Sequence, residues 1–164
     1  MISSCKKIKK LTNFYAEFTN IIVIDPDQQI NSTTNIWSYY IPDVSKDLFH
    51  EYDSKYQSTQ SIMVSGFSIS MVEPEELNLD IIESVNVFLV SGDSDKKKIA
   101  WLDKMPEPGL TFARLNISRD ELKDLIIGHE HLLYFQITTN SSLTSACSID
   151  FDYNFYIGTI IEDF

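Results

Sequence analysis

The sequence predicts an all-β fold: a two-layer antiparallel β-sandwich of about seven to nine strands with one short helix. Three observations predict it. Strict alternation runs through residues 147–161, where Cys147, Ile149, Phe151, Tyr153, Phe155 and Ile157 share one face of an extended chain. Short apolar runs recur along the chain between clusters of Pro, Gly, Asp, Asn and Ser, the punctuation of turns. Ten Phe, eight Tyr and two Trp favour pleated, half-buried surfaces. An apolar row as long as that in 147–161 would template aggregation at a sheet edge. It is therefore expected inside a sheet with a second layer packed on it, in an immunoglobulin-like or jelly-roll-like arrangement.

Taken in order, residues 1–12 are basic and lack a periodic apolar face, which predicts a flexible tether, with a single sandwich domain over 13–164. Phe14, Ala16 and Phe18 alternate with Tyr15 and Glu17, and the run 21–24 extends or restarts this first strand before Asp25, Pro26 and Asp27 close it. Residues 36–41 read as an aromatic strand ended by Pro42, whereas 43–60 fit either a short helix or a structured loop. In 63–71, Phe67, Ile69 and Met71 alternate with serines, and Gly66 suits a bulge. Residues 85–90 are apolar on both faces, as in an interior strand, and turn residues 91–95 lead back through 99–102 to complete a hairpin. A strand is expected over 110–117. Ser118 and Glu121 then stand in capping-box spacing ahead of Leu122, Leu125 and Ile126, with Gly128 as the stop, predicting a helix over 119–127. Leu133, Phe135 and Ile137 mark one face of the next strand, and the Ser/Thr/Asn stretch 139–145 turns the chain into the long terminal one.

The charge narrows the partners. Net charge is -11; all 24 acidic residues follow residue 10, while Lys6, Lys7, Lys9 and Lys10 supply four of the 13 basic ones. A body this acidic repels phosphate backbones, so nucleic acid is not an expected partner. Two cysteines are too few for a disulfide framework, and Cys147 lies on the apolar face, as a small buried hydrophobe would. No segment reaches the roughly 18 apolar residues of a membrane-spanning helix.

No reaction is spelled out. Five glycines form no phosphate-cradling run, and no Gly-x-Ser-x-Gly elbow is present. His129-Glu130-His131 is the one cluster with metal-ligating character, because imidazole and carboxylate bind zinc and copper and alternation sets His129 and His131 on one side. The competing reading is a polar connection after a helix C-terminus, where a protonated histidine meets the negative end of the helix dipole. Asp93 with Asp95, and Asp150 with Asp152, fall short of the ligand number calcium requires. No cofactor is expected. Trp37, Tyr39 and Tyr40 form a candidate platform for a sugar or a protein, set against a core role in which alternation turns two of the three inward.

Ile2-Ser3-Ser4-Cys5 has the small-residue approach and cysteine of a bacterial lipobox, followed by Lys6-Lys7 and by Leu11-Thr12-Asn13-Phe14 opening the first strand. With residues 85–89, the Lys98-Ile99-Ala100-Trp101 return, the helix after Ile117 and the strand 150–157, the chain resembles small β-sandwich lipoproteins of the Bacteroidota cell envelope, a group without an assigned activity. The resemblance implies lipid attachment at Cys5, a membrane partner reached through that lipid, and a signal segment encoded upstream. The basic residues after Cys5, unlike the acidic export signals of surface lipoproteins in that phylum, imply an outer-membrane protein facing the periplasm. The function expected is a non-catalytic binding or structural module that takes a glycan or an envelope protein; the alternative is a metal-dependent hydrolase using His129 and His131.

Overall fold

The computed structural model describes residues 9–26, 33–38, 59–91, 95–127 and 131–162. Among them run strands β1 (Lys9–Ile24), β2 (Thr33–Ser38), β3 (Thr59–Glu73), β4 (Ile82–Ser91), β5 (Asp95–Leu102), β6 (Phe112–Arg114), β7 (Asn116–Ile117), β8 (His131–Thr139) and β9 (Cys147–Glu162). A one-turn helix α1 (Lys123–Ile126) and a 3-10 turn (Leu79–Ile81) complete the described elements.

Two antiparallel sheets result, one ordered β1-β9-β3-β6 and the other β2-β8-β4-β5-β7. The pairing is nested: β4 with β5, β3 with β6, β2 with β8 and β1 with β9. An antiparallel ribbon rolled across two layers in this way is a jelly roll. The terminal strand lies between β1 and β3, as its alternation predicts.

The inward row of β9 is buried from Cys147 through Ile157. It faces the inward row of β8, and Phe151 meets Phe135 edge-to-face across the layers with centroids 4.8 Å apart. Phe67 joins from β3, stacked on Tyr153 at 5.0 Å. Tyr153 remains compatible with burial because its hydroxyl donates to Asn20 Oδ1 at 2.8 Å, and burial pushes the phenol well above its usual range. Gly66 sits at a register shift in β3, the expected bulge. Beyond β4, Gly109 takes a positive φ of 78°, and its amide donates to both carboxylate oxygens of Asp80 at 2.8 and 2.9 Å, pinning the connection into β6.

Four expectations are corrected. The ladder between β1 and β9 starts at Lys9, opposite Glu162, so residues 9–12, expected in the tether, belong to the sheet; residues 1–8 lie outside the described residues. Of the aromatic strand expected over 36–41, residues 36–38 belong to β2, which begins earlier, at Thr33, while 39–41 lie outside the described residues. The strand expected over 110–117 divides, because the chain changes sheets at Leu115: β6 pairs with β3 in one layer and β7 with β5 in the other. The helix expected over 119–127 contracts to Lys123–Ile126. Its capping box does not form, since Ser118 Oγ accepts from Asp120 N while Glu121 Oε1 accepts from Ile62 N at 2.7 Å, Leu122 N at 3.1 Å and Lys123 N at 3.0 Å. A tertiary partner on β3 has taken the carboxylate that the isolated segment would have used for its own cap.

Candidate functional site on the five-stranded sheet

The pairing of β2 with β8 determines where Trp37 points. Ile36 stands opposite Phe135 and Thr34 opposite Ile137, both inward residues, so Thr33, Asn35 and Trp37 face outward with Thr138, Gln136 and Tyr134. Trp37 is therefore 47% exposed, as a platform residue must be, and the competing core role does not hold for it. Its ring lies against Tyr134 with centroids 4.3 Å apart and planes at 34°. On the other side of Tyr134 is Phe88 of β4, at 5.9 Å. Lys96 Nζ sits 4.0 Å from the Phe88 centroid and 3.9 Å from that of Tyr134. Held between two rings and capped by an ammonium, Tyr134 is only 8% exposed although it is on the outer face. Such cation–π contacts contribute about 0.5–1 kcal/mol at exposed sites.

An amide patch adjoins the aromatic row. Tyr134 Oη donates to Asn35 Oδ1, and Gln136 Nε2 donates to Asn35 Oδ1 at 3.2 Å and to Tyr134 Oη at 3.1 Å. Lys98 Nζ donates to Asn86 Oδ1 at 2.7 Å. The face thus offers a half-exposed indole, fixed amides and two ammonium groups on a protein that is otherwise strongly acidic. An indole held by its neighbours suits the apolar face of a sugar ring, and amides and ammoniums can meet hydroxyls beside it.

Alternation in 132–138 already separates Tyr134 and Gln136 from the apolar Leu133, Phe135 and Ile137, but nothing local brings Trp37, Phe88 and Lys96 to Tyr134. Of the candidate residues singled out in the sequence, Cys5, Tyr39, Tyr40, Asp93, His129 and Glu130 lie outside the described residues. His131 is not in a polar connection: it opens β8 opposite Ser91, on the inward side, and is 9% exposed. Among the described residues no three His, Cys, Asp or Glu side chains gather as a metal site would need. Cys147 is buried opposite Ile24, and burial pushes its thiol up, away from the reactive thiolate, against a lowering contribution from the hydrogen bond with the Ile24 backbone.

No protein-family model matches the chain, and no curated protein matches it. Several solved structures are similar over most of its length, among them three viral ones. A chain of Mud crab tombus-like virus is 7% identical, covering 99% of this chain and 96% of that one with a TM-score of 0.33. For Desmodium yellow mottle tymovirus the values are 6%, 100%, 95% and 0.35, and for turnip yellow mosaic virus 10%, 95%, 96% and 0.31. The fold assignment rests on the strand pairing itself.

Proposed function

We propose that this chain is a non-catalytic lipoprotein of the cell envelope, and that its sandwich binds a glycan on the outer face of the five-stranded sheet. The observation that carries the binding role is Trp37, which remains half exposed while its ring packs at a tilt against Tyr134. A ring already immobilised by its neighbours loses little further freedom when a ligand stacks on it, so more of the contact energy is left for affinity. Asn35, Gln136 and Lys98 then supply polar contacts around the stacked ring.

The anchoring half of the proposal rests on Cys5, which precedes by four residues the first paired residue of β1, Lys9. At about 3.3–3.6 Å per extended residue, a lipid on Cys5 would hold that end of the four-stranded sheet within about 15 Å of the bilayer. Outer-membrane anchoring with the domain facing the periplasm is the part of the proposal supported by the resemblance to Bacteroidota lipoproteins and by the lysines beside Cys5.

Glycan binding is tested by screening the protein on an array of envelope polysaccharide fragments and measuring the hits by calorimetry. Trp37→Ala is expected to weaken binding at least tenfold, while Tyr15→Ala, an exposed aromatic on the other sheet, leaves it unchanged. Equal affinity for Trp37→Ala and the parent would refute the site. Anchoring is tested separately: in the full-length gene product, Cys5→Ser should abolish detergent-phase partitioning, and a Cys5→Ser chain that still partitions would refute the lipid.

A further inference from the structure

The outer face of the four-stranded sheet carries a groove of ≈ 680 Å³ with different chemistry. Register places four outward residues in one row across it: Thr19 on β1 opposite Asp152 on β9, Asp152 opposite Ser68 on β3, and Ser68 opposite Arg114 on β6. The neighbouring row runs from Glu17 through Asn154 to Gly66. The floor is low because β3 contributes Ser65, Gly66 and Ser68 there. A Cβ on Gly66 would come within 3.7 Å of Asn154 Nδ2, ordinary contact, so the glycine leaves open volume that the backbone does not require. The register shift in β3 falls at this point, and a bulge of that kind bends a strand.

Three features of the groove point to a ligand. Thr19 Oγ1 donates to Asp152 Oδ1 at 2.6 Å, which orients the carboxylate while its other oxygen accepts from no described residue. Arg114 lines the groove without a hydrogen bond or ion pair to any described residue. Phe112, two residues before it on the same side of β6, is 48% exposed. The backbones of Asp152 and Arg114 stand two strand spacings, about 10 Å, apart, and no ion pair joins the two side chains. Both charged groups therefore face the groove with capacity to spare.

We propose that this groove is a second binding site, separate from the Trp37 face, and that it takes a neutral oligosaccharide of two or three rings. Charge decides against the other ligand classes. An anion would meet Glu17 and Asp152 against a single Arg114, on a chain of net charge -11. A calcium ion needs about six to eight oxygens and would have a guanidinium beside it. A neutral saccharide engages Asp152, Arg114 and Phe112 together. Adjacent hydroxyls donate to the Asp152 carboxylate, ring and hydroxyl oxygens accept from the planar Arg114 fork, and the apolar face of a ring packs on Phe112. The volume falls within the 300–1,000 Å³ range usual for small-molecule sites, roughly.

The test is an amide NMR titration of the intact protein with cellotriose, maltotriose, mannotriose and chitotriose, with trigalacturonate as the anionic comparison. At least one neutral trisaccharide is expected to shift the amides of Gly66, Ser68, Arg114 and Asn154 saturably. Arg114→Met and Asp152→Asn should each weaken that binding at least tenfold. The second of these keeps an acceptor for Thr19, so the fold is preserved, as an unchanged melting temperature will show. Trp37→Ala should leave this binding unaltered, which separates the groove from the site proposed on the other sheet. The proposal is overturned if no neutral trisaccharide binds, if only trigalacturonate does, if the shifts map to Trp37 and Tyr134 alone, or if neither groove variant weakens binding.

Discussion

Replacing Phe151 with alanine is the most direct probe of how the two layers are joined. Phe151 is fully buried in the middle of β9, edge-to-face with Phe135 of the opposite sheet at 4.8 Å and with Phe67 of its own sheet at 6.4 Å. A Phe→Ala change in a core costs about 3–5 kcal/mol through lost transfer energy and the cavity left behind. The upper part of that range, about 4–5 kcal/mol, applies here. β9 is hydrogen-bonded on both sides by β1 and β3, and Phe135 is held in a strand paired on both sides, so neither backbone can close over the gap. For a domain of this size each kcal/mol lowers the melting temperature by about 2–4 °C, giving a fall of about 8–20 °C. Urea unfolding followed by circular dichroism should show a lower midpoint with an unchanged slope, the mark of altered stability alone. Tyr156→Ala, on the outward side of the same strand, is the control and is expected to cost about 1 kcal/mol. If Phe151→Ala is no more destabilising than Tyr156→Ala, the facing of β9 against β8 described above is wrong.

Glu121 and Asp120 give two further predictions. Glu121→Ala removes the shared acceptor of the Ile62, Leu122 and Lys123 amides and should cost about 1–3 kcal/mol in chemical denaturation, while Glu121→Gln, which retains an acceptor oxygen, should cost less; equal losses would show that the carboxylate is not the tie. The Asp120 carboxyl is held below its usual range, first by the hydrogen bond involving Ser118 and then by Lys97, whose ammonium lies 3.5 Å away. A folded value below the unfolded one means that the associated stabilisation is present above the unfolded value and is lost as pH falls through the folded one. Ser118→Ala and Lys97→Met should therefore each raise the Asp120 value in a carboxyl-carbon NMR titration, the former more, and a value that stays put would remove both causes.

The pattern of single residues determined much of this protein. Period-two alternation in β9, β8 and β4 separates Phe151, Phe135 and Val87 from Asp152, Gln136 and Asn86 without any tertiary information, because successive side chains in a strand point to opposite sides. Gly66 announced its bulge for a similarly local reason, and the burial of Cys147 followed from its place in the alternating row.

Alternation states which residues share a face; it does not state which face is covered. In 36–41 both faces read as aromatic or apolar, so Trp37 became an outward residue only when β2 paired with β8 in the register that sets Ile36 against Phe135. The same pairing, between segments about a hundred residues apart, set Trp37 on Tyr134, and the pairings of β8 with β4 and of β4 with β5 added Phe88 and Lys96. Leu115 looked like the interior of one strand because a crossover between layers keeps the backbone extended and breaks no local pattern. Glu121 stood in good capping geometry by spacing, yet Ile62 N, brought beside it only by folding, draws its carboxylate to β3. The strand faces were thus set by local stereochemistry. Which of them meet, and which side chains are left for a ligand, was decided by long-range pairing, whose competing registers differ in buried area rather than in any feature of the segments themselves.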